Sequence, residues 1–299
     1  MRRAMCIILL TLFAVQTAQA ASKPNVVLIL ADDMGMGDVS ALNPNSKIQT
    51  PAIDRLVQEG VRFVDAHSAS SVCTPTRYGL LTGRYCWRTR LKSRVLNGYS
   101  PCLIEKDRST LATIFQSNGY TTAMFGKWHL GLGWTTKTGE TITYEGDVSP
   151  IDEAQVDFTK PIQHGPVDLG FDCFYGVSAS WDFPPYVFIQ NRQVTVFPTQ
   201  KVGGRLRPST QEELSLVAAA KDEKERKRAR DAFPKTSWRS GLADPNMKVD
   251  HALRIITEKT VAYIQTQSAE LPFFLYMSLT APLTFLKAPN YRTQKSRMS

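Results

Sequence analysis

The sequence predicts an α/β fold with a mostly parallel sheet and helices on both faces. An uninterrupted apolar run, Val26-Val27-Leu28-Ile29-Leu30, ends directly on Ala31-Asp32-Asp33, as a buried parallel strand ending at a ligand-binding edge does. Between residues 110 and 125 a helical block gives way to a strand, and strand-helix-strand alternation is the mark of this class. A second apolar run, Phe273-Phe274-Leu275-Tyr276-Met277, follows an amphipathic segment over 251–266. With 299 residues, 42% of them hydrophobic, the chain can bury one large core, or one domain plus the start of another, and its composition does not indicate disorder.

The first residues read Met-Arg-Arg, then an apolar stretch from Ile7 to Val15, then Ala18-Gln19-Ala20. This is the layout of a secretory signal over 1–20, cleaved after Ala20, and it predicts a secreted or periplasmic protein over 21–299. Its apolar stretch is short for a bilayer, and no later run approaches the ~20 apolar residues of a span. The net charge of +9 becomes about +7 once Arg2 and Arg3 leave with the signal. That balance suits polyanions, including sulfated polysaccharides, or simply a solvated basic surface; no nucleic-acid motif accompanies it.

In Thr50-Pro51-Ala52-Ile53-Asp54-Arg55-Leu56-Val57-Gln58-Glu59-Gly60, Thr50 reads as N-cap, Pro51 as first helical residue and Gly60 as the stop. Val61 to Val64 reads as a short strand. Next comes Cys73-Thr74-Pro75-Thr76-Arg77-Tyr78-Gly79-Leu80-Leu81-Thr82-Gly83-Arg84. Pro75 presets a first helical turn, and free N–H groups there, with Arg77 one turn on, create a positive site for sulfate or phosphate and favour a thiolate at Cys73. Spacing alone leaves open that Cys73 is a disulfide partner of Cys86, Cys102 or Cys173. The helix carries Tyr78, Leu80 and Leu81 toward the core. A further helix spans Thr110 to Gly119, followed by a strand from Tyr120 to Phe125.

That strand delivers Gly126-Lys127-Trp128-His129-Leu130-Gly131, a cation and an imidazole at one strand end. Asp32 and Asp33 are either solvated turn residues or, where the chain leaves its strand, hard oxygen ligands for Ca²⁺ or Mg²⁺. The segment Lys221 to Arg230 alternates charge, with Asp222–Arg226 and Glu223–Lys227 spaced to pair, and marks a charged insertion over 200–240. Trp181, Phe183, Pro184, Pro185 and Tyr186 form either an apolar substrate rim or core. Over 251–266, Leu253, Ile256, Val261 and Ile264 are available for one apolar face.

The pattern C-x-P-x-R-x(4)-T-G-R from Cys73 to Arg84, with G-K-W-H-x-G from Gly126 to Gly131, resembles the type I sulfatases. The resemblance implies an alkaline-phosphatase-like sandwich and hydrolysis of sulfate esters. It implies conversion of Cys73 to 3-oxoalanine (formylglycine) by a formylglycine-generating or anaerobic sulfatase-maturing enzyme. Cys73, Arg77, Lys127 and His129 become catalytic residues. Lys127 and Ser180 contact substrate, the latter within Gly170 to Asp182, and Asp32, Asp33 and Cys73 bind Ca²⁺ or Mg²⁺. Two departures are expected to matter. Leu283 stands where A-P-H-T carries His, and the chain lacks the later strand whose Asp-Asn or Asp-His pair completes the metal site and the Lys beyond it that contacts sulfate, leaving the C-terminal part missing.

Overall fold

A computed structural model describes residues 23–141, 149–202, 219–226, 239–248 and 251–281. The expected signal over 1–20, Lys227 to Arg230 and Leu283 lie outside them. Strands β1 (Val26–Leu30), β2 (Thr121–Lys127), β3 (Cys173–Val177) and β8 (Phe273–Ser278) are parallel, in the order β1-β8-β2-β3. The short strands β4 (Ile189–Gln190) and β5 (Gln193–Val194) extend this sheet as an antiparallel hairpin. The other two, β6 (Gln200–Val202) and β7 (Gly241–Ala243), pair with each other and so pin together the two ends of the charged interval.

Helices cover both faces, as the sequence predicts. Side chains alternate along a strand, so Met124, Phe174, Phe274 and Tyr276 pack with Tyr78 and Leu81 of α2 (Cys73–Thr82) and Ala112 of α3 (Leu111–Ser117). Ala123, Phe125, Tyr175 and Leu275 face the other way, against Ala252 and Ile256 of α4 (Ala252–Gln265). Thr110 caps α3 by accepting from Thr113 N, and Gly119, at φ +81°, turns the chain into β2. Helix α1 (Pro51–Glu59) begins on Pro51 and stops at Gly60 as expected, but Thr50 makes no side-chain cap and donates instead to Asp54 Oδ1 at 2.8 Å.

Three expectations are corrected. Val61 to Val64 is not a strand; Val61 is 85% and Phe63 78% exposed, and β-propensity without a pairing partner does not make a ladder. The inward face of α4 is Ala252, Ile256 and Thr260, whereas Val261 and Ile264 are exposed and Leu253 lies on a shallow outer groove. The run 26–30 does form a parallel strand, yet among the described residues it is an edge strand with Val27 45% and Ile29 54% exposed.

The order β1-β8-β2-β3 aligns the carboxyl ends of four parallel strands. Leu30 and Gly126 both lie opposite Ser278, and Lys127 lies opposite Val177. Gly126, at φ +110°, lets β2 pass β8 so closely that a Cβ would drive into the Ser278 carbonyl. Gly126→Ala is therefore expected to cost about 3 kcal/mol or more, while Gly119→Ala, whose Cβ meets open space, costs about 1–2 kcal/mol from φ alone. Urea denaturation of both variants checks this; equal costs would remove the close approach as a constraint.

Candidate active site

The carboxyl ends of β1 and β2 and the start of α2 converge on a buried charge cluster. Lys127, the last residue of β2, is fully buried and places Nζ 2.5 Å from Asp32 Oδ2 and 3.0 Å from Cys73 Sγ. Cys73 is the first residue of α2 and donates its S–H to Asp32 Oδ1 at 3.7 Å. Arg77, one turn into the helix and 2% exposed, has Nη2 3.7 Å from Asp32 Oδ1. Its Nη1 donates to Lys127 O at 3.0 Å and to the Ser278 hydroxyl, which itself donates to Lys127 O at 2.7 Å.

Counted formally, one carboxylate faces two cations, so the buried cluster carries one unit of uncompensated positive charge. Arg77 Nε is also buried without an acceptor. A buried donor and a surplus cation beside a helix N-terminus fit an oxyanion.

His129 leaves β2 at φ +56° and is buried beside the same helix start. Its carbonyl accepts from Thr74 Oγ1 at 2.8 Å, and Thr74 Oγ1 accepts from Leu96 N at 3.2 Å. Its Nε2 lies 2.8 Å from Leu96 O. A carbonyl has no proton to give, so Nε2 carries the hydrogen and Nδ1, buried and unpartnered, keeps its lone pair. Burial first, then the Lys127 charge, holds the imidazole well below its ordinary pKa, so His129 is a neutral base at neutral pH.

The expected residues separate into two groups. Asp32, Cys73, Arg77 and Lys127 are in direct contact, and His129 joins them through Thr74. Asp33 follows at φ +63°, exposed, and among the described residues its carboxylate has no hydrogen-bond or ion-pair partner. Ser180 is buried but makes no contact with that cluster; its hydroxyl donates to Asp182 Oδ1 at 2.6 Å. Trp181 and Tyr186 are core, which decides the rim-or-core alternative for those two, while Phe183 stays half-buried with its ring edge-on to His129 at 5.5 Å.

Cys73, Cys86, Cys102 and Cys173 are all free thiols, so Cys73 is not a disulfide partner in this structure. Burial pushes Cys102 up to about 12 and raises Cys86 and Cys173, which disfavours the thiolate at those three. Sequence reading missed Ser278 and Thr74, which hold the cations and the imidazole in place. A hydroxyl ending an apolar run was the available signal for Ser278; Thr74 falls on an unspecified position of the motif, so the pattern gives it no role.

The sulfatase family model matches residues 24–297. The chain is 33% identical over 268 residues to an N-acetylgalactosamine-6-O-sulfatase of Bacteroides thetaiotaomicron, covering 87% of this chain and 48% of that protein. It is 37% identical over 183 residues to human steryl-sulfatase, covering 59% of this chain and 27% of that one. The chain thus spans about half the length of the first relative and less of the second. A solved structure described in work on the metabolism of multiple glycosaminoglycans by Bacteroides thetaiotaomicron superposes with a TM-score of 0.63 at 30% identity, over 88% of this chain and 52% of that one. The architecture is the alkaline-phosphatase-like α/β fold of that neighbour.

Two outcomes are expected. Asp32→Ala leaves two buried cations without a counter-charge and should destabilise the metal-free chain by about 3–5 kcal/mol, whereas Asp33→Asn should stay within about 0.5 kcal/mol. Chemical denaturation compares them, and equal effects would show that Asp32 is not the cluster's counter-ion. For His129, the folded pKa lies below the unfolded value of 6.5. Below that pH the unfolded chain binds a proton that the folded chain does not, so this contribution is present above about pH 6.5 and is lost as pH falls toward the folded pKa. His129→Gln should flatten that part of a stability profile between pH 7.5 and 5; an unchanged slope would place the dependence elsewhere.

Proposed function

This chain belongs to the sulfatase family, and we propose that it carries the nucleophile-bearing half of a secreted or periplasmic sulfuric-ester hydrolase acting on a sulfated carbohydrate. The observation that carries this reading is the buried cluster in which Lys127 and Arg77 outnumber Asp32 around Cys73 at a helix start. The carbohydrate follows from likeness to the N-acetylgalactosamine-6-O-sulfatase, and secretion from the signal-like residues 1–20.

Cys73 is a thiol in this structure, and its Sγ marks where the oxygens of a hydrated formylglycine, made by a maturing enzyme, would stand. That group would supply one hydroxyl to attack sulfur and, after the alcohol leaves, a second whose lost proton lets sulfate depart. As for a divalent cation, the donors fit in kind. Asp32 and Asp33 are hard oxygen ligands at a strand end beside position 73, although among the described residues no three His, Cys, Asp or Glu side chains group around one point. Asp32 and Asp33 would hold Ca²⁺ or Mg²⁺, which would supply polarisation of the sulfate oxygens.

The chain's own groups do the rest. Lys127 fixes a positive charge 3.0 Å from the reacting position, and Arg77 adds a second, its guanidinium held by Ser278 and the Lys127 carbonyl. Both are aligned before substrate arrives, so little reorganisation accompanies charge development. His129, with Nε2–H committed to Leu96 O, takes a proton at Nδ1. Burial keeps it unprotonated and ready near neutral pH.

A second reading, anion binding without turnover, rests on Leu283, which cannot donate the hydrogen bond of the expected His. Peptide mass spectrometry of chain secreted from a host with a maturing enzyme tests the first reading, with sulfate release from N-acetylgalactosamine 6-sulfate as the activity assay. Residue 73 is expected to carry the mass loss of thiol-to-aldehyde conversion, and Cys73→Ala to reduce sulfate release to background. An unmodified thiol would sink the hydrolase reading. Under either reading Arg77→Ala should weaken inorganic sulfate binding by about tenfold or more.

A further inference from the structure

The loop after β3 meets Arg239, two residues before β7, at the His129 side of the site. Arg239 lays its guanidinium 3.7 Å over the Phe183 ring, and that ring stands edge-on to His129. Arg239 is held from three directions. Nη1 donates to Asp182 Oδ2 at 2.6 Å and to Asp182 O at 3.0 Å; its backbone N–H donates to Asp182 O at 3.3 Å; its carbonyl accepts from the Tyr186 hydroxyl at 2.7 Å. Asp182 is itself oriented by the Ser180 hydroxyl.

Such anchoring is unusual for a side chain that remains 51% exposed. Surface arginines ordinarily lose too much rotamer freedom for one ion pair to hold them. Here stacking on Phe183 and the Asp182 bonds orient the guanidinium together. Because Asp182 takes Nη1, the Nε–Nη2 edge is left. Among the described residues neither of those atoms has a hydrogen-bond partner, and this edge presents two parallel N–H donors, the fork that fits a carboxylate or sulfate. One aromatic ring separates it from His129.

We infer that Arg239, stacked on Phe183 and fixed by Asp182, is a specificity subsite for a second anionic group, a carboxylate or a further sulfate, on the sugar next to the ester being cleaved. The inference rests on the sulfate-ester reading and deepens it. Ser180, whose resemblance-based role is substrate contact, acts in this arrangement through Asp182 as a positioning residue.

Calorimetric titration of the full chain with three disaccharides tests it. One links 6-sulfated N-acetylgalactosamine to a hexuronate; the second has that carboxylate reduced to an alcohol; the third carries a sulfate on that alcohol. The hexuronate or the doubly sulfated compound is expected to bind about tenfold tighter than the reduced one, and the larger gain identifies the anion. Arg239→Ala should shrink that preference to about twofold or less. Arg239→Lys, which keeps the charge without the fork, should keep only part of it, and Arg254→Ala, on the outer side of α4, should keep it whole. Equal affinity of the wild type for all three would overturn the subsite and leave the sulfate-ester reading standing. A preference that survives Arg239→Ala would also overturn it, by assigning it to the general basic charge. No binding of any compound, with residue 73 unconverted, would remove both.

Discussion

A fully buried ammonium must find an anion, and the contact of Lys127 with Asp32 is the constraint from which much of this structure follows. Lys127 ends β2, Asp32 lies two residues past the end of β1, and only β8 lies between those strands. For the contact to form, those three strands must be parallel and registered so that Leu30, Ser278 and Gly126 lie in one row. Gly126 permits the approach at that row, and Ser278 ties the Lys127 carbonyl to Arg77. Register and site are thus one requirement. A slip of one residue would turn Lys127 to the opposite face and leave Asp32 buried against Arg77 alone.

The cluster is not optimised for stability alone. A core of the same volume built from apolar side chains would avoid two buried cations and the orphaned Nε of Arg77. Polar groups whose partners are incomplete in the protein itself are expected where a ligand supplies the remainder. The helix N-terminus of α2 already places partial positive charge there, so an oxyanion enters a site that needs no rearrangement. His129 complements this: the same burial and cations that favour an anion keep its imidazole neutral.

The legibility of these parts in the sequence follows from how local each one is. Strands β2 and β8 are buried on both faces, so their apolar runs read directly, and α3 carries its cap and glycine stop in its own residues. The run 26–30 reads the same way although β1 lies at the edge of the described sheet, because composition records what a strand is able to cover and not what lies against it. Val61 to Val64 failed for the converse reason: propensity without a partner strand. For α4, periodicity admitted several faces, and β2 and β8 select the one with Ala252, Ile256 and Thr260. The motif residues Cys73, Arg77, Lys127 and His129 were found because short spacings fix them. Ser278 and Arg239 act across long separations, to Arg77 and to Phe183, and no local pattern announces such a meeting.

This difference in legibility matches a division of labour. Groups proposed to act on sulfur stand at strand ends or in the first turns of a helix, where backbone ladders hold them and a change disturbs the sheet itself. The groups proposed to read the rest of the substrate, Phe183, Asp182 and Arg239, belong to loops that touch the core through Trp181 and Tyr186 and leave one face open. Substitution there alters an exposed edge without breaking the register of β1, β8 and β2. The cation cluster is therefore physically tied to the fold, while the proposed recognition of a surrounding sugar is free to vary on the same scaffold. A chain built this way keeps its reaction class under substitution of its loops and changes what it accepts.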